Sequence, residues 1–199
     1  MSNNPDFGLQ SSLSNSNSPS STGTAAAQVA VQYLLVSMAG RRYGVRLDNL
    51  QEVVRYSQLS VAPVPNSPEW LDGITSLRGS ILSAVNLRSF LGLNRASGGM
   101  PDKVSPGFVG FGRSSPRLLV VSTNDLTIGI IVDDIEGVIF VQLDGIQPLE
   151  AYPAFQADPA LGYLDGIYPD LENKREVALL NLRRLLVSTQ MLKFEPAKI

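Results

Sequence analysis

The sequence predicts a mainly β fold built from two small barrels that arise by internal duplication. Two stretches, Tyr33–Val54 and Arg117–Ile139, read alike. Gly44 aligns with Gly129, and Asp48 then aligns with Asp133 without a gap. Both stretches contain short apolar runs bounded by turn residues, which suit strands better than helices. Several such strands in each copy, with turns between them, are typical of a small barrel.

Two further matches extend the duplication toward the end of each copy. Leu71–Ile74 recurs as Leu164–Ile167, and Val85–Leu91 recurs as Leu180–Leu186. Four matches in the same order indicate a repeated structural unit. We therefore expect one domain over residues 29–196, with a first copy at about 32–93 and a second at about 117–194. The Gly-, Ser- and Pro-rich stretch 94–116 is predicted to be an irregular connection.

The predicted strands fall at corresponding places in the two copies. In the first copy they are Tyr33–Ala39, Tyr43–Arg46, Glu52–Arg55 and Ser80–Val85. In the second they are Leu118–Thr123, Ile128–Val132, Gly137–Val141 and Glu176–Leu180. Val61–Pro68 contains three prolines and is predicted to be a loop. Glu69–Leu77 is predicted to add a short helix that buries Trp70 on one side.

Each copy ends in a change of period from strand to helix. Asn86 and Asn181 each precede leucines and other apolar residues at i, i+3 and i+4 spacing, which predicts a helix with one apolar face. Asparagine is a favoured N-cap because its side-chain oxygen accepts from free N–H groups of the first turn. The second helix is expected to continue toward Leu192 and to end before Pro196.

The first 28 residues differ from the rest of the chain. Residues 1–24 contain eight Ser and four Asn, and no Lys or Arg occurs before Arg41. Such polar, low-complexity sequence buries too little apolar surface to offset the entropy of ordering, so we expect a disordered leader. A basic start and an apolar run, which a secretory signal needs, are both missing.

The amino-acid composition limits which catalytic groups and binding sites the protein can have. The 199 residues include no Cys and no His, which excludes disulfides, thiol catalysis, Ser-His-Asp triads and a phospho-accepting histidine. No glycine-rich phosphate-binding motif and no metal-ligand spacing occurs. We expect no catalytic residue, no cofactor and no metal. The absence of cysteine also fits a cytosolic location.

Two other functions remain open from the residues alone. Small barrels often bind nucleic acid, and Arg41, Arg42 and Arg46 form one basic cluster, although a solvated strand edge explains it equally well. The net charge of −2 counts against nucleic acid. A carboxylate-dependent enzyme would need a converging pair, and the adjacent Asp133 and Asp134 are expected to point to opposite faces and to meet solvent.

Several motifs resemble CheW-domain proteins in order and spacing. The stretch Gln32–Arg55 is similar to the start of that domain, including Tyr43-Gly44-Val45 and Leu50-Gln51-Glu52-Val53. The most distinctive family signature has the form Gly-hydrophobic-x-x-Leu-Arg-Gly, followed by an apolar strand and Asp-Leu-Arg. Here it reads Gly73–Gly79, Ser80–Val85 and Asn86-Leu87-Arg88. The resemblance covers residues 32–194.

The resemblance implies a fold of two intertwined SH3-like five-stranded barrels packed about an apolar seam. It implies a non-catalytic adaptor that couples methyl-accepting receptors to a CheA-type histidine kinase. The implied partners are the regulatory domain of that kinase and the cytoplasmic tip of a chemoreceptor, with no nucleic acid and no direct membrane insertion. It further implies a cytoplasmic protein that is recruited to membrane-associated receptor arrays. We expect a monomer in isolation.

The chain departs from the family pattern in the signature itself. Asn86 stands where Asp is usual, and Ser83-Ala84 stands where a Pro is common. Both Asp and Asn cap helices, so we expect the fold to tolerate the first change. These departures, with the leader and the long connection, favour a divergent member such as one from a pilus-motility or phototaxis pathway.

The resemblance places a protein interface at six residues: Glu52, Val53, Arg78, Gly79, Asn86 and Arg88. A solvated strand charge is the plainer explanation for Glu52, and an arginine that holds its own loop through carbonyl groups is the plainer one for Arg78. Arg88 and its counterpart Arg183 are expected to be exposed residues of a first helical turn.

Structural explanations suffice for four other repeated residues. Gly44 and Gly129 are expected to mark either a bulge or a close backbone approach. Asp72 and Asp165 are expected to form Asx turns.

Overall fold

The computed structural model describes residues 30–93, 115–123, 126–171 and 175–192. Within them the strands are β1 (Ala30–Met38), β2 (Arg41–Arg46), β3 (Leu50–Arg55), β4 (Val61–Ala62), β5 (Leu71–Leu77), β6 (Ser80–Asn86), β7 (Arg117–Thr123), β8 (Leu126–Val132), β9 (Asp134–Gln142), β10 (Leu164–Asp170) and β11 (Arg175–Leu180). The helices are α1 (Leu87–Phe90), α2 (Pro153–Gln156), α3 (Leu182–Leu186) and α4 (Thr189–Leu192). No helix in these ranges has the length and apolar character needed to cross a membrane.

The strands form two sheets, and each sheet combines strands from both copies. The first sheet has the order β10-β11-β2-β1-β9, and the second has the order β3-β7-β8-β6-β5-β4. Each copy thus contributes its opening hairpin to one sheet and its later strands to the other. The expectation of one barrel per copy was wrong in this respect, whereas the intertwined arrangement that the resemblance implied is confirmed.

A parallel strand pair joins the two copies within each sheet. In the first sheet β11 runs parallel to β2, with Leu179 beside Gly44. In the second sheet β6 runs parallel to β8, with Ala84 beside Gly129. The two registers are equivalent under the duplication, so the repeat seen in the sequence is also a repeat in three dimensions.

The aligned glycines lie where a neighbouring side chain crosses the strand. A Cβ at Gly44 would lie 2.9 Å from Leu179 Cδ2, and one at Gly129 would lie 2.7 Å from Leu118 Cδ1. Both distances are shorter than a normal contact. Of the two expected explanations, the structure shows a close approach, made by a leucine side chain, and no register shift at either glycine.

Contacts between non-neighbouring strands curl each sheet on itself. In the second sheet the Tyr56 hydroxyl, just after β3, donates to the Asp72 carboxylate on β5 at 2.8 Å. In the first sheet the chain after β9 meets β10 through a bridge between Gln147 and Ile167. These contacts bring strands from distant sheet positions together, as an SH3-like barrel requires.

Three apolar cores explain why the first strand of each copy is a continuous apolar run. The largest core lies between the sheets and includes Leu34 and Val36 of β1. The alternate residues Tyr33 and Leu35 belong to a smaller core of the first sheet, and a corresponding core occupies the second. A strand that is buried on both faces has no polar alternation, which is the pattern seen here.

Three local expectations were wrong. Glu69–Leu77 does not form a helix; Trp70 is buried as expected, but the residues after it form β5, with Leu71, Gly73 and Thr75 facing inward. The predicted loop at Val61–Pro68 begins with the short strand β4, which pairs with β5. The terminal helix divides into α3 and α4 rather than continuing to Leu192.

The two predicted helix caps are confirmed. Asn86 Oδ1 accepts from the Ser89 N–H at 3.1 Å, and Asn181 Oδ1 accepts from the Arg184 N–H at 2.8 Å. Asparagine at the family's usual Asp position therefore keeps the capping role. The predicted leader, the connection up to residue 114 and the helix end before Pro196 lie outside the described residues.

Candidate protein-interaction surface

A tight turn between β5 and β6 presents Arg78 to solvent. Leu77 pairs with Ser80, which leaves Arg78 and Gly79 as the two loop residues. Their φ angles are 51° and 86°, as a type I′ hairpin turn requires. Gly79 adopts this conformation without strain. Arg78, which carries a Cβ, is held in a sparsely populated region of backbone angles.

Arg78 forms an ion pair with Glu52 of the edge strand β3. Arg78 Nη2 lies 2.8 Å from Glu52 Oε1, and the two side chains are 78% and 28% exposed. The arginine therefore projects outward instead of bonding to carbonyl groups of its own loop. Glu52 lies on β3, an edge strand, so the pair joins strands that are not neighbours in the sheet.

The six residues of the expected interface divide into separate groups. Glu52, Arg78 and Gly79 lie together. Val53 follows Glu52 on β3 and points to the opposite, exposed face of that strand. Asn86 is the last residue of β6 and Arg88 lies just beyond it, roughly 20 Å from the turn at strand spacing.

Arg88 is more constrained than expected. It is half-buried, and its Nη1 lies 3.5 Å from Asp133 Oδ2. The same carboxylate oxygen accepts from the Ala39 N–H at 2.9 Å. The expectations of an exposed Arg88 and a solvent-facing Asp133 were both wrong, because the β8–β9 bend places this carboxylate against α1 and the β1–β2 turn. Arg183 is exposed, as expected.

The repeated aspartates Asp72 and Asp165 accept hydrogen bonds from side chains that are distant in sequence, instead of forming Asx turns. Asp72 accepts from the Tyr56 hydroxyl, and Asp165 accepts from Asn181 Nδ2 at 2.7 Å. The Asx-turn expectation is therefore corrected at both positions. Burial first, and the hydrogen bond to Asp72 second, raise the pKa of Tyr56, so the phenol remains a donor.

The early arginine cluster is neutralised by carboxylates. Arg41 pairs with Asp158, and Arg46 Nη2 lies 2.5 Å from Asp48 Oδ2. Arg42 bonds to Glu136 at 2.6 Å and to Asp170 at 2.9 Å. The side chain of Arg42 is only 10% exposed. The cluster is thus a set of ion pairs in which Arg42 is largely buried and Arg41 and Arg46 are partly solvated, rather than a free basic patch.

An exposed apolar patch on β9 was not predicted from the sequence. Val138 and Phe140 are 48% and 62% exposed although both are large and apolar. Val138 corresponds to Val53 in the duplication, so the two edge strands β3 and β9 present an exposed valine at the same place. The duplication could have located this patch, because Val53 was predicted to be an interface residue and Val138 is its counterpart in the second copy.

Comparisons with known proteins agree on one family. The model of the CheW-like domain matches residues 32–190. "Chemotaxis protein CheW" of Klebsiella aerogenes is 25% identical over 82% of this chain and 86% of its own. "Protein FrzA" of Myxococcus xanthus is 28% identical over 73% and 78%.

A solved structure supports the same assignment of fold. The crystal structure of the scaffolding protein TtCheW from Thermoanaerobacter tengcongensis superposes with a TM-score of 0.61 at 23% identity. It covers 81% of this chain and 96% of that one. This chain belongs to the CheW-like domain family.

Proposed function

We propose that this protein is a non-catalytic adaptor that couples methyl-accepting receptors to a CheA-type histidine kinase in a motility signalling array. The support is membership of the CheW-like family and the similarity to a chemotaxis protein, a Frz protein and a scaffolding protein. The proposed partners are the regulatory domain of the kinase and the cytoplasmic tip of a receptor.

The conformation of Arg78 is the observation that carries this proposal. A left-handed turn position suits Gly or Asn, and a non-glycine residue in an unfavourable region costs on the order of 1–3 kcal/mol. Arg78 nevertheless occupies the position with most of its side chain in solvent. An exposed ion pair offsets at most about 1 kcal/mol of this strain. A role in partner binding explains the arginine better than a role in folding.

The two edge strands give the adaptor two distinct contact surfaces. β3 presents the Glu52–Arg78 pair on one face and Val53 on the other, and β9 presents Val138 and Phe140. An adaptor has to hold two partners at once, and the duplication supplies equivalent edges on different sheets. We assign the charged β3 edge and the apolar β9 edge to different partners. Repeated contacts in an array would add avidity to moderate individual affinities.

The rival functions gain no support from the described residues. Nucleic-acid binding would need free basic side chains, and the cluster at Arg41, Arg42 and Arg46 is paired. Asp133 is engaged with Arg88, and Asp134 Oδ1 accepts from the next N–H at 2.8 Å, so this pair does not converge on a substrate.

Replacing Arg78 with asparagine is expected to separate binding from folding. Asparagine tolerates the left-handed turn, so the free energy of unfolding should stay within about 1 kcal/mol of the wild type. Affinity for the kinase regulatory domain, measured by titration calorimetry, should fall at least about tenfold because the charged contact is lost.

Arg175→Asn is the matched control, because Arg175 is an exposed arginine at the start of β11, which belongs to the other sheet, and it lies outside the turn. It should weaken binding much less than Arg78→Asn. Unchanged affinity in Arg78→Asn would contradict the role of this turn. Unfolding of that variant would show instead that Arg78 is needed for the fold.

A further inference from the structure

A polar pocket lies at the crossover from β2 to β3, where the chain passes from the first sheet to the second. Its volume is about 360 Å³, and two buried leucines form part of its lining. The polar residues that line it are Arg46, Asp48, Asn49, Asp165, Asn181 and Arg183. The pocket adjoins the start of β3 but contains none of the residues in the Glu52–Arg78 turn surface.

The duplication provides an internal reference for this pocket. Asp48 corresponds to Asp133, and Arg183 corresponds to Arg88. The matching registers at Gly44 and Gly129 place these pairs equivalently in space. The chain changes sheet twice, from β2 to β3 and from β8 to β9. At each of these two crossovers an aspartate lies near the second residue of a short helix.

The two crossovers use these equivalent charges differently. At the β8–β9 crossover, Asp133 Oδ2 lies 3.5 Å from Arg88 Nη1, so the arginine is paired with a carboxylate of the same chain. At the first, Asp48 is bonded to Arg46 at 2.5 Å, and Arg183 forms no ion pair with any residue in the described ranges. Arg46 causes this difference, because the equivalent position at the second crossover is the buried Ile131, which cannot compete for the aspartate.

We propose that this pocket binds a carboxylate side chain from an acidic segment of a partner protein, with Arg183 as its main contact. The second crossover shows the geometry, since its arginine holds a carboxylate that the chain itself supplies. Asn181 is a weaker candidate, because it carries no charge, its Oδ1 caps α3 and one of its two Nδ2 hydrogens donates to Asp165.

The charges around the pocket favour a single carboxylate over a phosphate. Asp48 and Asp165 line the same pocket as Arg46 and Arg183. The two aspartates repel a doubly charged phosphate about twice as strongly as a singly charged glutamate carboxylate, which also approaches on a narrow stem. This site is independent of the proposed adaptor role, although it would give such an adaptor a further contact.

The test is an NMR titration of the full 199-residue protein with three probes. These are the capped peptide acetyl-Gly-Glu-Gly-amide, its Gln counterpart and sodium phosphate, all at constant ionic strength. We expect saturable shifts at the Arg183 Nε–H and the Asn181–Arg183 amides with the Glu peptide alone. Equal shifts with phosphate would indicate a general anion site and overturn the peptide assignment. Equal shifts with the Gln peptide, or no saturable shift with the Glu peptide, would overturn the proposal.

Two variants and one control test which residues of the pocket determine peptide binding. Arg183→Glu should weaken the Glu peptide at least about tenfold, whereas Arg175→Glu, the same charge change at an exposed strand residue, should leave it nearly unchanged. Arg46→Ile copies the second crossover, so Asp48 should pair with Arg183 and exclude the peptide. Binding that survives both variants would contradict the proposal, and the amide spectrum of each variant reports whether it is folded.

Discussion

Replacing Asp158 with alanine is expected to lower the free energy of unfolding by about 2–6 kcal/mol. The Asp158 side chain is fully buried and pairs with Arg41. It also accepts from the Tyr43 hydroxyl at 3.2 Å and from the Ala160 N–H at 2.8 Å. Alanine would leave these two buried donors without a partner, at about 1–3 kcal/mol each. Arg41 adds little to the loss because it is 40% exposed and can turn to water.

This network connects β2 to the segment that follows α2. Arg41 also lies over the Phe155 ring, 5.6 Å from its centroid. Burial, and then the nearby Asp158 charge, raise the pKa of Tyr43, so its phenol stays a hydrogen-bond donor. Urea unfolding gives the measurement. Asp48→Ala, which removes an exposed Asp–Arg pair, is the matched control and should cost no more than about 1 kcal/mol. Equal losses in the two variants would contradict the account.

Gly73→Ala is expected to be the most damaging glycine substitution in the second sheet. A Cβ at Gly73 would lie 2.2 Å from the carbonyl oxygen of Ala62 in β4, and the φ angle is 149°. Backbone strain would cost about 1–3 kcal/mol. The clash would add at least about 1–3 kcal/mol, because a backbone oxygen in a paired strand cannot move as a side chain can.

Gly137 provides a matched control for this prediction. Its φ angle is 156°, but a Cβ there would meet nothing within 4 Å. Gly137→Ala should therefore show the strain alone, and Gly73→Ala should be clearly less stable in thermal or urea unfolding. If both variants lose the same stability, the contact with Ala62 does not matter in solution.

The sequence predicted the strands well because their signal is local. Apolar runs closed by turns located the hairpin β1–β2 and its copy, and asparagine before spaced leucines located the caps of α1 and α3. Glu69–Leu77 was predicted to be a short helix that buries Trp70, and this prediction was wrong. The alternation of Leu71, Gly73 and Thr75, which marks the strand, depends on a glycine whose inward position leaves no side-chain signal.

The pairing of strands between copies could not be predicted from periodicity. A duplication shows that two units are alike but not which hairpin joins which sheet, and that choice is made by the packing of the shared core. The ion pairs could not be predicted from the sequence either. Arg88 and Asp133 lie far apart in sequence, and only the β8–β9 bend brings the carboxylate to α1. Arg78 was found because its motif is specific, whereas Val138 and Phe140 lack such a motif.

The central claim is that the protein couples receptors to a kinase, and reconstitution tests it most directly. Receptors and the CheA-type kinase from the same organism would be combined on vesicles, and kinase autophosphorylation would be measured with and without this protein. We expect receptor control of the kinase only when the protein is present, and a loss of that control with Arg78→Asn. Autophosphorylation that responds to the receptor equally well without the folded protein would contradict the adaptor role.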